Sequence, residues 1–141
     1  MTVYLKRQPQ FIERVAEWMI SVQMAMWGGV LLLPQDTFST SPAFRILALF
    51  VSETTLGSLL VVLGVARIVG LVVNGHRKKV TPWVRLVSAA GGFFVFTGIS
   101  AAFAMSGTIS TWIAIYPVIA AVEIVNIYRS AHDAGQSIAV P

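Results

Sequence analysis

The chain has 141 residues, of which 56% are hydrophobic and only 11% are charged. A soluble domain of this size carries roughly 25% charged residues and needs them to cover its surface. The composition therefore excludes an ordinary water-soluble domain and indicates a single-domain membrane protein. The chain contains no cysteine, which excludes disulfides, zinc–thiolate sites and cysteine nucleophiles.

Four apolar stretches are candidates for membrane-spanning helices, each of which needs about 20 mainly apolar residues. They cover residues 18–33, 44–73, 83–105 and 110–128. The first is short and extends back through residues 11–17 as one continuous helix, so residues 1–17 form an amphipathic lead-in that lies partly along the membrane surface. Short connections make neighbouring helices antiparallel. We predict one all-α membrane domain over 1–141, a bundle of four antiparallel helices followed by a loosely ordered tail over 129–141.

Helix ends are marked by local signals. Ser41-Pro42 and Thr81-Pro82 each place a capping hydroxyl before a proline at the first helical position. Asn74-Gly75 and Ser106-Gly107 suit the left-handed turn that closes a helix. These signals predict a second helix that runs unbroken to residue 73 and a third that ends near residue 105.

The positions of the basic residues predict the orientation. On one side of a four-span topology lie Lys6, Arg7, Arg14, Arg77, Lys78, Lys79, Arg85 and Arg129, whereas the other side has only Arg45. Because lysine and arginine accumulate in cytoplasmic loops, both termini are predicted to be cytoplasmic. Arg77, Lys78 and Lys79 are also candidates for contact with anionic lipid headgroups, although a role in orientation alone is the simpler interpretation. The net charge of +4 is thus explained without a nucleic-acid partner.

Ionisable residues inside the apolar stretches are the candidate site. Arg67, Arg85, Glu123 and Asn126 fall in one layer near the cytoplasmic side, which Glu17 enters from the first helix. A charge at mid-membrane costs about 2.5–3.5 kcal/mol on insertion scales, so each needs a partner or a cavity. One interpretation is an ion or proton path. The favoured one is an interhelical ion-pair cluster, because no ladder of carboxylates continues to the other side.

Glu53 is the best single candidate for a functional residue. It lies in the outer half of the second stretch beside Ser52, Thr54 and Thr55, and Arg45 is about 12 Å away along a helix. Three alternatives are open for this side chain: protonation, a hydrogen bond to Gln23 of the first helix, or exposure to a polar lumen in an oligomer.

Small residues recur at helical spacing on the third stretch. Ser88 and Gly92 are four residues apart, as are Gly98 and Ala102, a spacing that lets helices approach closely in lipid. Packing within the bundle is favoured over self-association. The sequence has no phosphate-binding glycine loop, catalytic triad or metal-ligand spacing, so we predict a protein that is not an enzyme and has no cofactor.

Several phrases resemble a group of small multi-pass membrane proteins encoded by tailed phages and prophages. They are Ala16-Glu17-Trp18, Trp27-Gly28, Leu33-Pro34, Asp36-Thr37-Phe38, Arg67 with Asn74-Gly75, Tyr116-Pro117, Tyr128-Arg129 and Asp133-Ala134. The resemblance implies a bacterial inner membrane and a phage context. That group has no assigned activity, so it implies no site residue.

Three functions are considered. The first is a holin-like protein that self-associates and permeabilises the membrane; holins resemble this chain in being small, multi-spanning and basic at the cytoplasmic end. The second is an accessory protein, such as a scaffold, an exclusion factor or a partner subunit of a larger assembly. The third, a small transporter, depends on Glu53 and on a short match between residues 41–46 and 81–86. The phage resemblance favours the first.

Overall fold

The computed structural model describes residues 9–73 and 81–139. The described part of the chain is 86% helical and contains no strand. The elements are α1 (Pro9–Leu31), α2 (Thr37–Thr40), a 3-10 turn at Pro42–Phe44, α3 (Arg45–Ala48), α4 (Glu53–Val73), α5 (Thr81–Met105) and α6 (Trp112–Ala139). The all-helical class predicted from the sequence is confirmed.

Within the described residues, three helices are long and apolar enough to cross a membrane: α4, α5 and residues 112–136 of α6. They indicate a membrane protein. Helix α1 has a similar length of 23 residues. However, Arg14, Glu17, Ser21 and Gln23 make it less apolar, so composition alone does not identify it as a fourth span.

Adjacent long helices run antiparallel. On α5 and α6, Gly92 lies beside Glu123 and Phe103 contacts Tyr116 with ring centroids 5.2 Å apart, so the residue numbers run in opposite directions. The contacts of α1 with α4 show the same order, as do those of α4 with α5. The four long helices therefore alternate in direction along the chain.

Glycines bring the backbones of α1 and α4 together. A Cβ atom added to Gly28 would lie 2.6 Å from the carbonyl oxygen of Gly57, and one added to Gly64 would lie 2.7 Å from the carbonyl oxygen of Ser21. Such close approach replaces side-chain packing with direct helix contact, which is a common basis of association in lipid. At these glycines the two backbones are in direct contact.

An aromatic cluster fills the half of the interior near α2 and α3. Its members are Phe38, Phe44, Phe96, Phe103 and Tyr116, all buried, with Trp27 partly buried. Trp27 stacks on Tyr116 at 5.3 Å, and Phe44 packs edge-on against Phe103 at 5.0 Å. Offset and edge-on ring pairs of this kind add to the stabilisation given by burial.

The prediction of one helix over 44–73 is wrong, because the chain breaks between Ala48 and Glu53. Phe44 and Leu47 turn inward while Leu49 and Phe50 are exposed. The Ser52 hydroxyl accepts a hydrogen bond from the backbone N–H of Thr55 at 3.1 Å, which caps a new helix start.

The prediction of a loosely ordered tail is wrong for residues 130–139, which continue α6. Ser130 and Ala134 are buried, and Asp133 is hydrogen-bonded to Arg85, so this segment is held by tertiary contacts. Smaller differences concern helix ends: α1 ends at Leu31, α5 begins at Thr81 and α6 begins at Trp112.

Two predicted turn signals have different outcomes. Gly107 adopts a φ of 69° just after α5, the left-handed conformation predicted for a closing glycine. Asn74-Gly75 lies outside the described residues, as do the basic residues Lys6, Arg7, Arg77, Lys78 and Lys79. Their orientation and headgroup roles stay predictions.

Candidate functional site

A group of polar side chains lies inside the protein in the half opposite the aromatic cluster. We call it the polar cluster. Its buried members are Glu17, Ser21, Arg67, Arg85, Ser88, Glu123, Asn126 and Ser130, and Asp133 lies at its margin with its side chain 37% exposed. All four long helices contribute to it. The structure thus brings together four of the five charged or polar candidates predicted from the sequence and leaves out Glu53.

Arg67 and Glu123 form a two-pronged ion pair between α4 and α6. Nη1 of Arg67 donates to Oε2 of Glu123 at 3.0 Å, and Nη2 donates to Oε1 at 2.8 Å. The two side chains are 1% and 0% exposed. Nε of Arg67 donates to the Ser88 hydroxyl at 3.2 Å, and Nδ2 of Asn126 donates to Oε2 of Glu123 at 2.8 Å. Planar guanidinium and carboxylate groups match in this arrangement, which makes it stronger than a single contact.

Arg85 forms the second ion pair, which links α5 to α1 and α6. Its Nε donates to Oε2 of Glu17 at 2.7 Å and its Nη2 donates to Oε1 of the same carboxylate. Its Nη1 donates to Oδ2 of Asp133 at 2.9 Å, and Nη2 of Arg14 lies 4.0 Å from that oxygen. Arg85 therefore uses three of its five N–H donors on carboxylates.

The charges of the polar cluster cancel when Arg14 at its margin is included. Arg67 is matched by Glu123, and Arg85 by Glu17, while Asp133 is shared between Arg85 and Arg14. A charge with a partner and satisfied hydrogen bonds is tolerated away from water, whereas an unpaired one is not. No group of acidic, histidine or cysteine side chains in the described chain is arranged to hold a metal ion.

Two buried polar atoms within the cluster have no hydrogen-bond partner among the described residues: Oδ1 of Asn126 and Oγ of Ser130. They lie one turn apart on α6 and so on the same helix face. Buried groups of this kind are commonly satisfied by an internal water molecule. A water molecule bound beside the Glu123 carboxylate would therefore find hydrogen-bond acceptors or donors in the polar cluster.

Gly92 makes space for the first ion pair. A Cβ atom at this position would overlap Oε1 of Glu123 and would lie 3.4 Å from Nη2 of Arg67. Ser88, one turn earlier, is buried and accepts the hydrogen bond from Arg67. The pair of small residues noticed in the sequence thus accommodates charged side chains, not only a neighbouring helix.

The other predicted packing pair behaves differently. Ala102 is buried, whereas Gly98 is exposed and an added Cβ would meet no atom within 4 Å. The prediction that Gly98 packs against another helix of the chain is therefore wrong. Residues four apart on a helix are slightly offset around its axis, so one member of such a pair can be buried while the other is exposed.

Glu53 lies outside the polar cluster. Its Oε1 accepts the backbone N–H of Thr37 at 3.0 Å and its Oε2 accepts that of Phe38 at 3.0 Å. The suggested hydrogen bond to Gln23 is wrong, because both carboxylate oxygens are directed to α2 and Gln23 is exposed. Glu53 reaches the connection because it begins α4, where the predicted helix is broken.

Sequence reasoning missed two features of the site. Asp133 was assigned to the tail, although its spacing of seven residues from Asn126 places it on the same helix face. The glycines Gly57 and Gly64, seven residues apart on α4, were not recognised as the surface that receives α1. In both instances a helical periodicity in the sequence was the available signal.

Comparison with protein-family models, curated proteins and solved structures found no match. The polar cluster is therefore interpreted from its geometry alone.

Proposed function

We propose that the chain is a four-span protein of a bacterial inner membrane that acts as a non-enzymatic accessory or scaffold subunit. The observation that carries this proposal is the mutual pairing of the buried charges, together with the aromatic cluster that fills the other half of the interior. An interior of this kind favours a fixed assembly of helices over a path for ions. Function is then exerted through the protein's outer surface.

The packing of α1 supports its role as the fourth span. Its backbone lies directly against α4 at Gly28 and Gly64, and Glu17 and Ser21 point into the polar cluster instead of outward. Polar groups that face the interior do not have to be transferred into lipid. With four crossings and the positive-inside rule, both termini are cytoplasmic.

Cysteine labelling tests this topology, since the chain has no cysteine of its own. We expect a membrane-impermeant maleimide to label Gln35→Cys in intact spheroplasts, and to label Thr2→Cys and Gln136→Cys only after permeabilisation. Labelling of Thr2→Cys together with Gln35→Cys in intact spheroplasts would show that α1 does not cross.

Isolation from host membranes tests the accessory role. After extraction in a mild detergent, we expect a second membrane protein to co-purify in a fixed ratio, and we expect the protein reconstituted alone to leave the proton permeability of liposomes unchanged. Recovery of this chain alone, with no bound protein, would contradict the proposal.

A holin-like role is the second candidate. It is supported by an exposed strip of small residues on α5, formed by Thr97, Gly98, Ala101 and Ala104, which offers a surface for self-association. Induced expression should then abolish the membrane potential abruptly, and Gly98→Leu should delay this loss. Unchanged potential at high expression would eliminate the holin-like role.

The transporter alternative has lost its main support, because the Glu53 carboxylate accepts hydrogen bonds from the backbone of Thr37 and Phe38.

A further inference from the structure

A seam between α1 and α6 contains an apolar groove of about 640 Å³. Met19, Val22, Met26 and Val30 of α1 form one wall, and Trp112 and Tyr116 of α6 form the other. The groove is lined almost entirely by carbon and extends over at least twelve residues of α1, which corresponds to roughly 18 Å along a helix. In the proposed topology this groove lies within the hydrocarbon layer.

The same seam contains a polar pocket of about 330 Å³, here called the basic pocket. Its lining includes Arg14, Arg85 and Arg129, against two carboxylates, those of Glu17 and Asp133. The net charge of the lining is therefore +1 with His132 neutral. Arg85 donates to both carboxylates, and Arg14 lies 4.0 Å from one of them, that of Asp133.

The groove and the basic pocket follow one another along the seam. Glu17 lines the pocket and the next residue, Trp18, lines the groove. Helices α1 and α6 are antiparallel here: Trp27 stacks on Tyr116 at one end, and Arg14 lies 4.0 Å from Asp133 at the other. A single elongated ligand can thus occupy both cavities.

The depth of the basic pocket fits the headgroup region of a membrane. Tyr128, which lines it, is 73% exposed. Trp18 lies where the groove adjoins the pocket, and Trp83 is the third residue of α5. Tyrosine and tryptophan are enriched where hydrocarbon meets the headgroups, and basic pockets between spanning helices suit anionic headgroups. We propose that the seam binds one anionic phospholipid, with its phosphate in the basic pocket and an acyl chain along the groove. This inference rests on the proposed crossing of α1.

Lipid retention by the purified protein tests the proposal. In mixed micelles containing dioleoyl phosphatidylglycerol or dioleoyl phosphatidylcholine, native mass spectrometry should detect one bound phosphatidylglycerol in preference to phosphatidylcholine. Arg14→Gln and Arg129→Gln should each weaken phosphatidylglycerol binding roughly fivefold, since a basic residue near an anionic surface contributes about that factor. Asp133→Asn should strengthen binding, because it removes a negative charge that faces the headgroup.

Arg45→Gln is the matched control: it removes the same charge from an exposed residue at the opposite end of the molecule and should leave binding unchanged. Val22→Trp should fill the groove and lower retention without changing the melting temperature. Equal binding of the two lipids, or an equal loss with Arg45→Gln, would overturn the proposal. Full competition by inorganic phosphate would overturn it as well, since a free anion would then suffice. The labelling of Thr2→Cys is measured independently, so failure of the topology can be told apart from failure of lipid binding.

Discussion

Gly92 shows how one missing methyl group determines whether a buried charge pair can form. The Glu123 carboxylate occupies the space where a Cβ would be, and it is fixed there by Arg67 and Asn126. A flexible side chain could normally move aside. Here movement would break the three hydrogen bonds that hold the carboxylate, and buried groups left without partners are costly.

We therefore expect Gly92→Ala to destabilise the protein by about 3–5 kcal/mol, the usual cost of disrupting a buried ion pair. The free energy of unfolding in detergent micelles, titrated with dodecyl sulfate, measures this effect. Gly98→Ala is the control, because that position has no atom within 4 Å, and it should change stability by no more than about 1 kcal/mol. Equal effects at the two positions would argue against the steric explanation.

Glu53 is expected to stabilise the connection between α1 and α4. In Glu53→Gln one acceptor oxygen becomes an NH₂ group, so the N–H of either Thr37 or Phe38 loses its partner. Amide hydrogen exchange at those residues should accelerate, with a loss of about 1–3 kcal/mol of local stability. The global melting temperature should change little. Unaltered exchange at both amides would show that the two contacts contribute nothing.

For individual residues, the sequence predicted the depth at which the buried charges lie but not which of them form ion pairs. Counting the helical rise placed Arg67, Arg85 and Glu123 in one layer. The assignment of Arg67 to Glu123 and Arg85 to Glu17 depends on helix rotation, which hydropathy does not report. Glu53 was misjudged because its environment is set by a helix break that has no proline or glycine to mark it.

Among the elements, α1 and α4 are held by contact between backbones. We expect Gly28→Ala to separate the two helices and to cost about 1–3 kcal/mol, as overpacking of a tight contact does. Gly29→Ala provides the matched control, since the adjacent glycine has no atom within 4 Å of its added Cβ. Stability in detergent and the efficiency of a disulfide engineered between α1 and α4 both report the separation. A stable Gly28→Ala with an intact crosslink would contradict this account.

The predicted elements were correct where apolar periodicity was long and wrong where tertiary contacts decided the ends. Helix α5 matches its prediction to within two residues at its start. Residues 130–139 are polar enough to be predicted as a tail. They continue α6 because Asp133 forms an ion pair and Ala134 is buried. Such contacts come from distant parts of the chain, and hydropathy does not report them.

For the whole molecule, the polar cluster ties the four long helices together through balanced charges. We expect Glu123→Gln to destabilise the protein strongly, by about 3–5 kcal/mol, because Arg67 would keep its charge without a matching carboxylate. The double variant Arg67→Met/Glu123→Met should recover most of this loss, since it removes both charges and preserves volume. A double-mutant cycle on the unfolding free energy measures the coupling. Additive losses would show that the two residues do not act as a pair.

The order of the ion-pair partners along the chain has a consequence for biosynthesis. Glu17 precedes Arg85, so the partner of that arginine is already in place when α5 emerges from the ribosome. The partner of Arg67 is synthesised later, because Glu123 follows it by 56 residues. At usual translation speeds this delay is roughly 3–11 s, during which Arg67 lacks the carboxylate that it pairs with in the folded protein. Insertion of α4 is therefore expected to depend on the translocon until α6 arrives, and a nascent chain stalled before α6 should be a preferred target for membrane proteases.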